Sequence, residues 1–419
     1  MRFLGVVFLF FVSLSARAEL TIEITGAGEH QIPISLVRFA GEEQLTGQSV
    51  STVVSNDLLR TGLFKLIDPA GKSPHEPGEV NYVEWPGVDA LLIGKVVTLD
   101  GGRVEVRFRL LDMVRHAELV GMAVTAKTDQ LRAIGHRVAD LVYEKLTGNP
   151  GVFSTRIAYV NRDGKNYRLV VADSDGYGEQ TLLALNEPIM SPAWSPDGSQ
   201  LAYVSFERGH ASVYVQSLTT RQRTVLADFS GSNSAPAWSP DGKQLAMVLS
   251  RDGFSQIYIV RNDGKELHRI TFSETIDTEP VFLPDGKSLL FTSDRGGSAQ
   301  IYRVPLDGGF AERLTFEGTS NFSPRSSPDG KSFVFSHFVD GVFYIAVQDF
   351  ETKQMQILTG GGWEKKPSFA PNGKLVLFAT ESQGRGILST VSSDGRVKQK
   401  MVAQRGDIRE PIWGPFLIK

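Results

Sequence analysis

The chain has 419 residues, with 44 Lys and Arg against 47 Asp and Glu, a net charge of −3 and no cysteine. The near-neutral balance offers no field to steer nucleic acid and no basic membrane-surface patch, and the missing thiols exclude disulfides, cysteine nucleophiles and Cys-ligated zinc together. With 41% apolar residues, 42 Gly and 20 Pro, the composition is globular and tilted toward the turn-rich sequence of an all-β architecture.

Arg2, the apolar stretch Phe3 to Leu14 and the triplet Ala16-Arg17-Ala18 predict a signal peptide over 1–18, cleaved at about Ala18 to leave Glu19 as the mature start. The stretch is too short for a bilayer span, which needs about 20 apolar residues. No cysteine follows to carry a lipid, and no later segment is apolar for 18 residues, so the mature chain is expected to be soluble with no membrane span. Residues 19–30 read as an arm. Leu20-Thr21-Ile22-Glu23-Ile24-Thr25 alternates as a strand does, yet Gly26 and Gly28 interrupt it before Pro33. Two readings fit: an edge strand of the domain that follows, or a segment that adds to a partner's sheet.

Residues 31–150 carry no repeat and predict a small α/β domain. Strands are expected over Pro33–Phe39, Phe64–Asp68, Val88–Thr98, Val104–Asp112 and Glu118–Ala126. Val50, Val53, Val54 and Leu58 have helical spacing within Gln48–Arg60. Leu131, Ile134, Val138, Leu141, Val142 and Leu146 line one face of a helix over Thr128–Leu146, stopped by Gly148 and Pro150.

From 153 to 419 a tetrapeptide returns at fixed spacing. Ser195-Pro196-Asp197-Gly198, Ser239-Pro240-Asp241-Gly242, Leu283-Pro284-Asp285-Gly286, Ser327-Pro328-Asp329-Gly330 and Ala370-Pro371-Asn372-Gly373 lie 44, 44, 44 and 43 residues apart. A period in the forties, each unit holding four short strands between turn residues, predicts propeller blades. In each turn the Pro presets φ, the Asp bonds the backbone ahead and the Gly accepts positive φ, so these Asp residues read as structural. Arg156-Ile157-Ala158-Tyr159-Val160 lacks a preceding turn, while Glu410-Pro411-Ile412-Trp413 lacks a following one, and Trp413 lies 44 residues beyond Phe369. The two halves should complete one blade, closing a six-bladed β-propeller behind the α/β domain and leaving no open sheet edge around the ring.

Signals for chemistry fail on spacing. No G-x-S-x-G elbow or H-E-x-x-H occurs. The three Gly-Lys-Ser triplets have Leu66, Val281 and Arg325 where a phosphate loop needs glycine. The seven histidines are scattered with no pair at metal-ligand spacing, and Asp173-Ser174-Asp175-Gly176 lacks the downstream Glu of a calcium loop and reads as a turn. No catalytic residue, metal site or cofactor is expected. Function should sit instead on the longer loops that precede Pro192, Pro236, Pro280, Pro324, Pro367 and Pro411. They carry Asn, Ser, Glu, Lys and Arg, so a polar, wet interface is expected there. A rival class is a propeller-type hydrolase or peptidase-associated sensor using channel-lining residues; the loops offer it Glu187, Asp277, Glu279 and Glu364.

The whole chain resembles the TolB family of periplasmic propellers of the Tol–Pal system. The resemblance rests on Leu20 to Thr25, Pro33-Ile34-Ser35, Leu59-Arg60-Thr61-Gly62-Leu63-Phe64, Glu144-Lys145-Leu146-Thr147-Gly148, Arg156 to Val160, Ser191-Pro192-Ala193-Trp194-Ser195-Pro196-Asp197-Gly198 and Leu201 to Val204, in that order behind a signal peptide. It implies a non-enzymatic periplasmic adaptor, a monomer, that binds the lipoprotein Pal across the propeller mouth and TolA through the N-terminal arm, supporting outer-membrane integrity and constriction during cell division. Other envelope proteins and colicins would use the same face. Carried over, the Pal-facing residues are Ser232, Asn233, Ala235, Thr278, Glu279, Asn321, Lys365 and Arg409, and the TolA-facing arm is Glu19, Leu20, Thr21, Ile22, Glu23, Ile24 and Thr25. Ser230-Gly231-Ser232-Asn233-Ser234 lacks the basic and imidazole groups that this family's loop can carry.

Overall fold

The computed structural model describes residues 22–23, 31–45, 49–401 and 406–417. The signal peptide and Glu19, Leu20, Thr21, Ile24 and Thr25 of the arm lie outside the described residues. A two-residue strand β1 (Ile22–Glu23) is followed by β2 (Ile32–Leu36), helix α1 (Val50–Leu59), β3 (Phe64–Ile67), β4 (Ala90–Leu99), β5 (Arg103–Asp112), β6 (Ala117–Lys127) and helix α2 (Leu131–Thr147).

The α/β domain is one sheet in the order β3-β2-β4-β5-β6, parallel at β2's two pairings and antiparallel beyond. Both helices pack on one face. Val50, Val54 and Leu58 of α1 and Leu131, Ile134, Val138 and Val142 of α2 bury against Ile34, Leu92, Val106 and Leu110. Helix α1 begins where Ser49 Oγ accepts from Thr52 N at 3.2 Å and the buried Glu42 carboxylate accepts from Ser51 N at 2.8 Å, an anion where the helix exposes its unpaired N–H groups. Helix α2 ends at Gly148, whose φ of 72° suits glycine and lets its N–H reach Glu144 O at 2.9 Å.

Six antiparallel sheets follow, arranged as blades, five of four strands and the last of five. In the first, the C-terminal strand Asp407–Trp413 pairs with Arg156–Asp163, Ile408 opposite Asn161 and Trp413 opposite Ile157, so the two chain ends close the ring as the half-repeats imply. The repeated turns are the expected hairpin devices. The carboxylates of Asp197, Asp241, Asp285 and Asp329 and the amide oxygen of Asn372 accept the N–H two residues ahead at 2.9–3.1 Å. The glycines of these turns sit at φ 67–71°.

The arm departs from the edge-strand reading. β1 pairs antiparallel with Lys398–Lys400, Ile22 opposite Gln399 and Glu23 opposite Lys398, making it a fifth strand on the outside of the last blade rather than an edge of the α/β sheet. The reason is local: a blade's outermost strand leaves one row of backbone N–H and C=O groups unpaired, and β1 fills part of it. The α/β domain sits on the tight-turn side of the ring. Asn372 Nδ2 donates to Pro150 O at 2.9 Å, Arg60 Nη2 donates to Ser174 Oγ at 2.7 Å, and a crevice of about 320 Å³ separates Thr61, Leu63 and Tyr143 from Leu375, Ser392 and Asp394.

Candidate functional site at the propeller mouth

The innermost strand of every blade breaks its register at one place, and the residue there is held at left-handed φ: Ser191, Ala235, Glu279, Ser323, Lys366 and Glu410, at 48–56°. Each directly precedes a proline, which disfavours the α-helical alternative, and each is the extra residue of a bulge. Five of these bulge residues, with Arg325, line a pocket of about 30 Å³ within the ring, room for a single water.

Charge in the channel is balanced in number, Glu279 and Glu410 against Lys366 and Arg325, with Glu279 and Lys366 in direct contact. Glu279 receives Lys366 Nζ, Ser323 N at 2.7 Å, Ser323 Oγ at 2.7 Å and Thr292 Oγ1 at 2.9 Å. Burial alone would raise this carboxyl, but the Lys366 charge and these four hydrogen bonds hold it down to about 2. Burial opposes the Lys366 ammonium, and Glu279 and Glu410 together still hold its pKa above the ordinary lysine value. Glu410 accepts Ser191 N from the neighbouring blade. Arg325, desolvated beside these carboxylates, is pushed down by burial. The channel is thus a set of cross-blade ties.

The predicted contact residues divide into two groups. Asn233 is buried, its Nδ2 donating to Ala211 O at 3.0 Å and Phe229 O at 2.8 Å while its Oδ1 accepts Phe229 N. Asn321 is equally buried, tied to Gln300, Glu317 and His337. Asp277 holds the matching position in the intervening blade and takes both oxygens to Arg295 Nη2 at 2.8 Å. These side chains are turned inward and brace the loops. Asn321→Ala would orphan a buried carbonyl and an imidazole nitrogen, and should lower unfolding free energy by about 1–3 kcal/mol in a urea titration. Glu279 belongs with them, since its oxygens are saturated.

Ser232, Thr278, Lys365 and Arg409 are the partly or fully exposed members, and Ala235 lines the channel. Lys365 Nζ lies between two rings, 4.1 Å from the Phe343 centroid and 4.2 Å from Trp363. Burial, then Arg409 and Lys366, lower its pKa. Together with Arg409 and Trp363 it walls an open pocket of about 340 Å³ beside the channel.

The expectation of a purely polar loop face is corrected. Phe254, Phe272, Ile276, Phe316 and Trp363 are 51–77% exposed. All five lie in loops that leave the second or the outermost strand of a blade, which is the end of the ring opposite the tight turns. Arg269 stacks over Phe272 and Arg313 over Phe316, both at 4.9 Å. Apolar anchors ringed by cations and small polar groups are the composition of a protein-docking surface. The signal was present in the sequence as Arg269-Ile270-Thr271-Phe272 and Arg313-Leu314-Thr315-Phe316, 44 residues apart.

This geometry meets its counterparts in known proteins. The TolB beta propeller domain matches residues 143–417, and the TolB amino-terminal domain matches residues 20–119. The Tol-Pal system protein TolB of Nitrosomonas europaea is 62% identical over 415 residues, covering 99% of this chain and 97% of that protein. That of Methylobacillus flagellatus is 61% identical over 409 residues, covering 96% and 94%. The crystal structure of TolB from Acinetobacter baumannii, 36% identical, superposes with a TM-score of 0.87 over 95% of this chain and all of that one. With both domains, their order and nearly the whole length shared, the chain belongs to the TolB family of the Tol–Pal system.

Proposed function

We propose that the chain is a non-enzymatic periplasmic adaptor, exported and cleaved at about Ala18, that binds Pal through the propeller mouth and TolA through its N-terminal arm. In this role it supports outer-membrane integrity and constriction during division. The observation that carries the reading is the exposed aromatic face at the mouth of a channel whose charges balance in number. Docking needs desolvatable apolar anchors, which this face has. Of the four carboxylates that a hydrolase could draw on, Asp277 and Glu279 already accept strong donors, Glu187 is exposed, and Glu364 is buried with its carboxyl pushed up by desolvation.

For the arm, the support is its strand character: among the described residues Ile22 and Glu23 pair on the open outer edge of the last blade, the kind of edge pairing that strand addition to another sheet uses. Titration calorimetry of the mature chain with purified soluble Pal and with the periplasmic part of TolA tests both halves. Deleting residues 19–30 should abolish the TolA heat and leave Pal binding intact. Absence of heat with Pal overturns the mouth assignment; TolA binding that survives the deletion overturns the arm assignment.

A further inference from the structure

Away from the mouth, a cluster of ionisable side chains joins the α/β domain to the first blade. His136 on α2 is 3% exposed at its side chain, and its Nδ1–H donates to Asp57 Oδ2 on α1 at 2.6 Å. Asp57 is itself tied to Arg60 at 3.2 Å, so it acts as acceptor and fixes the imidazole's proton on Nδ1. The other ring nitrogen, Nε2, is buried without a hydrogen-bond partner. It faces Asp173 Oδ2 across 3.9 Å, and the ligand atoms of His136, Asp173 and Asp175 all lie within 4.8 Å of one another. A nitrogen lone pair facing a carboxylate oxygen is repulsive unless a proton or a metal cation lies between them. The three carboxylates of Asp57, Asp173 and Asp175 face two guanidiniums, Arg60 and Arg132, leaving one negative charge for a proton on His136 or a metal cation to balance.

We propose that His136, Asp173 and Asp175 form a divalent-metal site, suited to Zn²⁺ over Mg²⁺ or Ca²⁺, that ties the α/β domain to the propeller. One imidazole with two carboxylates is a donor set for a borderline transition metal rather than for a hard alkaline-earth ion. Tetrahedral Zn²⁺ with bonds near 2.1 Å places N and O ligands about 3.4 Å apart, so the Nε2 to Asp173 separation needs to close by only about half an ångström. Asp57 supplies the outer carboxylate that orients the ring of a metal-bound histidine. A cavity of about 480 Å³, lined by His136, Asp140, Asp173, Phe416 and Leu417, provides an entry path and room for a water as fourth ligand. Arg132 is the competitor, its Nε on Asp173 Oδ2 at 3.2 Å and its Nη2 on Asp175. Its guanidinium also stacks on Tyr177 at 4.0 Å, a contact it keeps when a metal takes the carboxylates. The two aspartates come from the propeller and the histidine from the other domain, so metal binding fastens the two together independently of the docking role.

The test is calorimetry and thermal unfolding of the chelator-stripped mature chain with ZnCl₂ alone, and with MgCl₂ and CaCl₂ as comparisons. One Zn²⁺ per chain and a higher unfolding temperature are expected, with Co²⁺ giving the visible bands of a four-coordinate site. His136→Gln and Asp175→Asn should abolish that site, and Asp57→Asn should weaken it on the order of 10–100-fold. Arg132→Gln should bind Zn²⁺ more tightly than the wild type, an outcome that damage to the domain interface does not produce. No Zn²⁺ binding in either the wild type or Arg132→Gln overturns the proposal. So does binding that persists in Asp175→Asn, or that is lost with His210→Ala at the exposed His210–Asp228 pair. An imidazole spectrum that shows Nε2 of His136 carrying a proton in excess Zn²⁺ overturns it as well.

Discussion

Glu279→Ala should destabilise the propeller by about 2–3 kcal/mol, because it strips the partly buried Lys366 of the carboxylate it touches and leaves Ser323 N without an acceptor. The carboxylate spans three blades, joining its own strand to Ser323 in the next and Lys366 in the one after. Adding Lys366→Met to Glu279→Met should cost far less than the two single changes summed, since the pair then leaves no lone charge. Urea titrations of the four members of that cycle provide the check. The same group sets an acid limb. Its pKa is about 2 in the fold against an ordinary value of 4.5, so the stability it contributes is fully present above pH 4.5 and is lost as pH falls toward 2. Unfolding free energy measured from pH 5 to pH 2.5 should therefore fall more steeply in the wild type than in the Glu279→Met, Lys366→Met double variant. Equal slopes would mean that Glu279 does not carry the tie.

The second large effect is on binding. Trp363→Ala should weaken Pal binding by at least about 30-fold, equivalent to the 2 kcal/mol or more of an interface hot spot, with the fold intact. The indole is exposed on the mouth and held in place by Lys365, so its truncation removes apolar contact area without opening the core. Phe272→Ala and Phe316→Ala should follow in the same direction with smaller effects. An unchanged affinity in all three variants would move the docking surface elsewhere.

The architecture was legible because it is written in local chemistry. A turn with proline, aspartate and glycine every 44 residues cannot be read as anything but a repeated hairpin, and the half-motifs at Arg156 and Trp413 required the closure that Ile408 and Trp413 make with the first blade. The site was less legible, because a polar residue in a loop has two uses that sequence does not distinguish. Asn233 and Asn321 read as contacts and are internal braces; Lys365 and Arg409 read the same way and face solvent. What separates them is the direction of one side chain at the start of an inner strand. The exposed aromatics follow a rule that was available. Thr271 and Thr315 turn inward, each accepting a backbone N–H through Oγ1, at 3.0 Å from Ile257 N and 2.9 Å from Ile301 N, so the residue after each must turn outward. In the next blade the same place is Gly360, after Thr359, which leaves the aromatic face to Trp363. The meeting of His136 with Asp173 and Asp175 was beyond reach, since it depends on how two separately folding segments dock.

The most direct measurement is hydrogen–deuterium exchange of the mature chain with and without Pal. The docking account predicts slowed exchange in the loops at 228–236, 272–280, 316–324, 361–367 and 405–411, with the proline-aspartate-glycine turns on the opposite side unchanged. Slowed exchange confined to those turns, or to the α/β sheet, would contradict it.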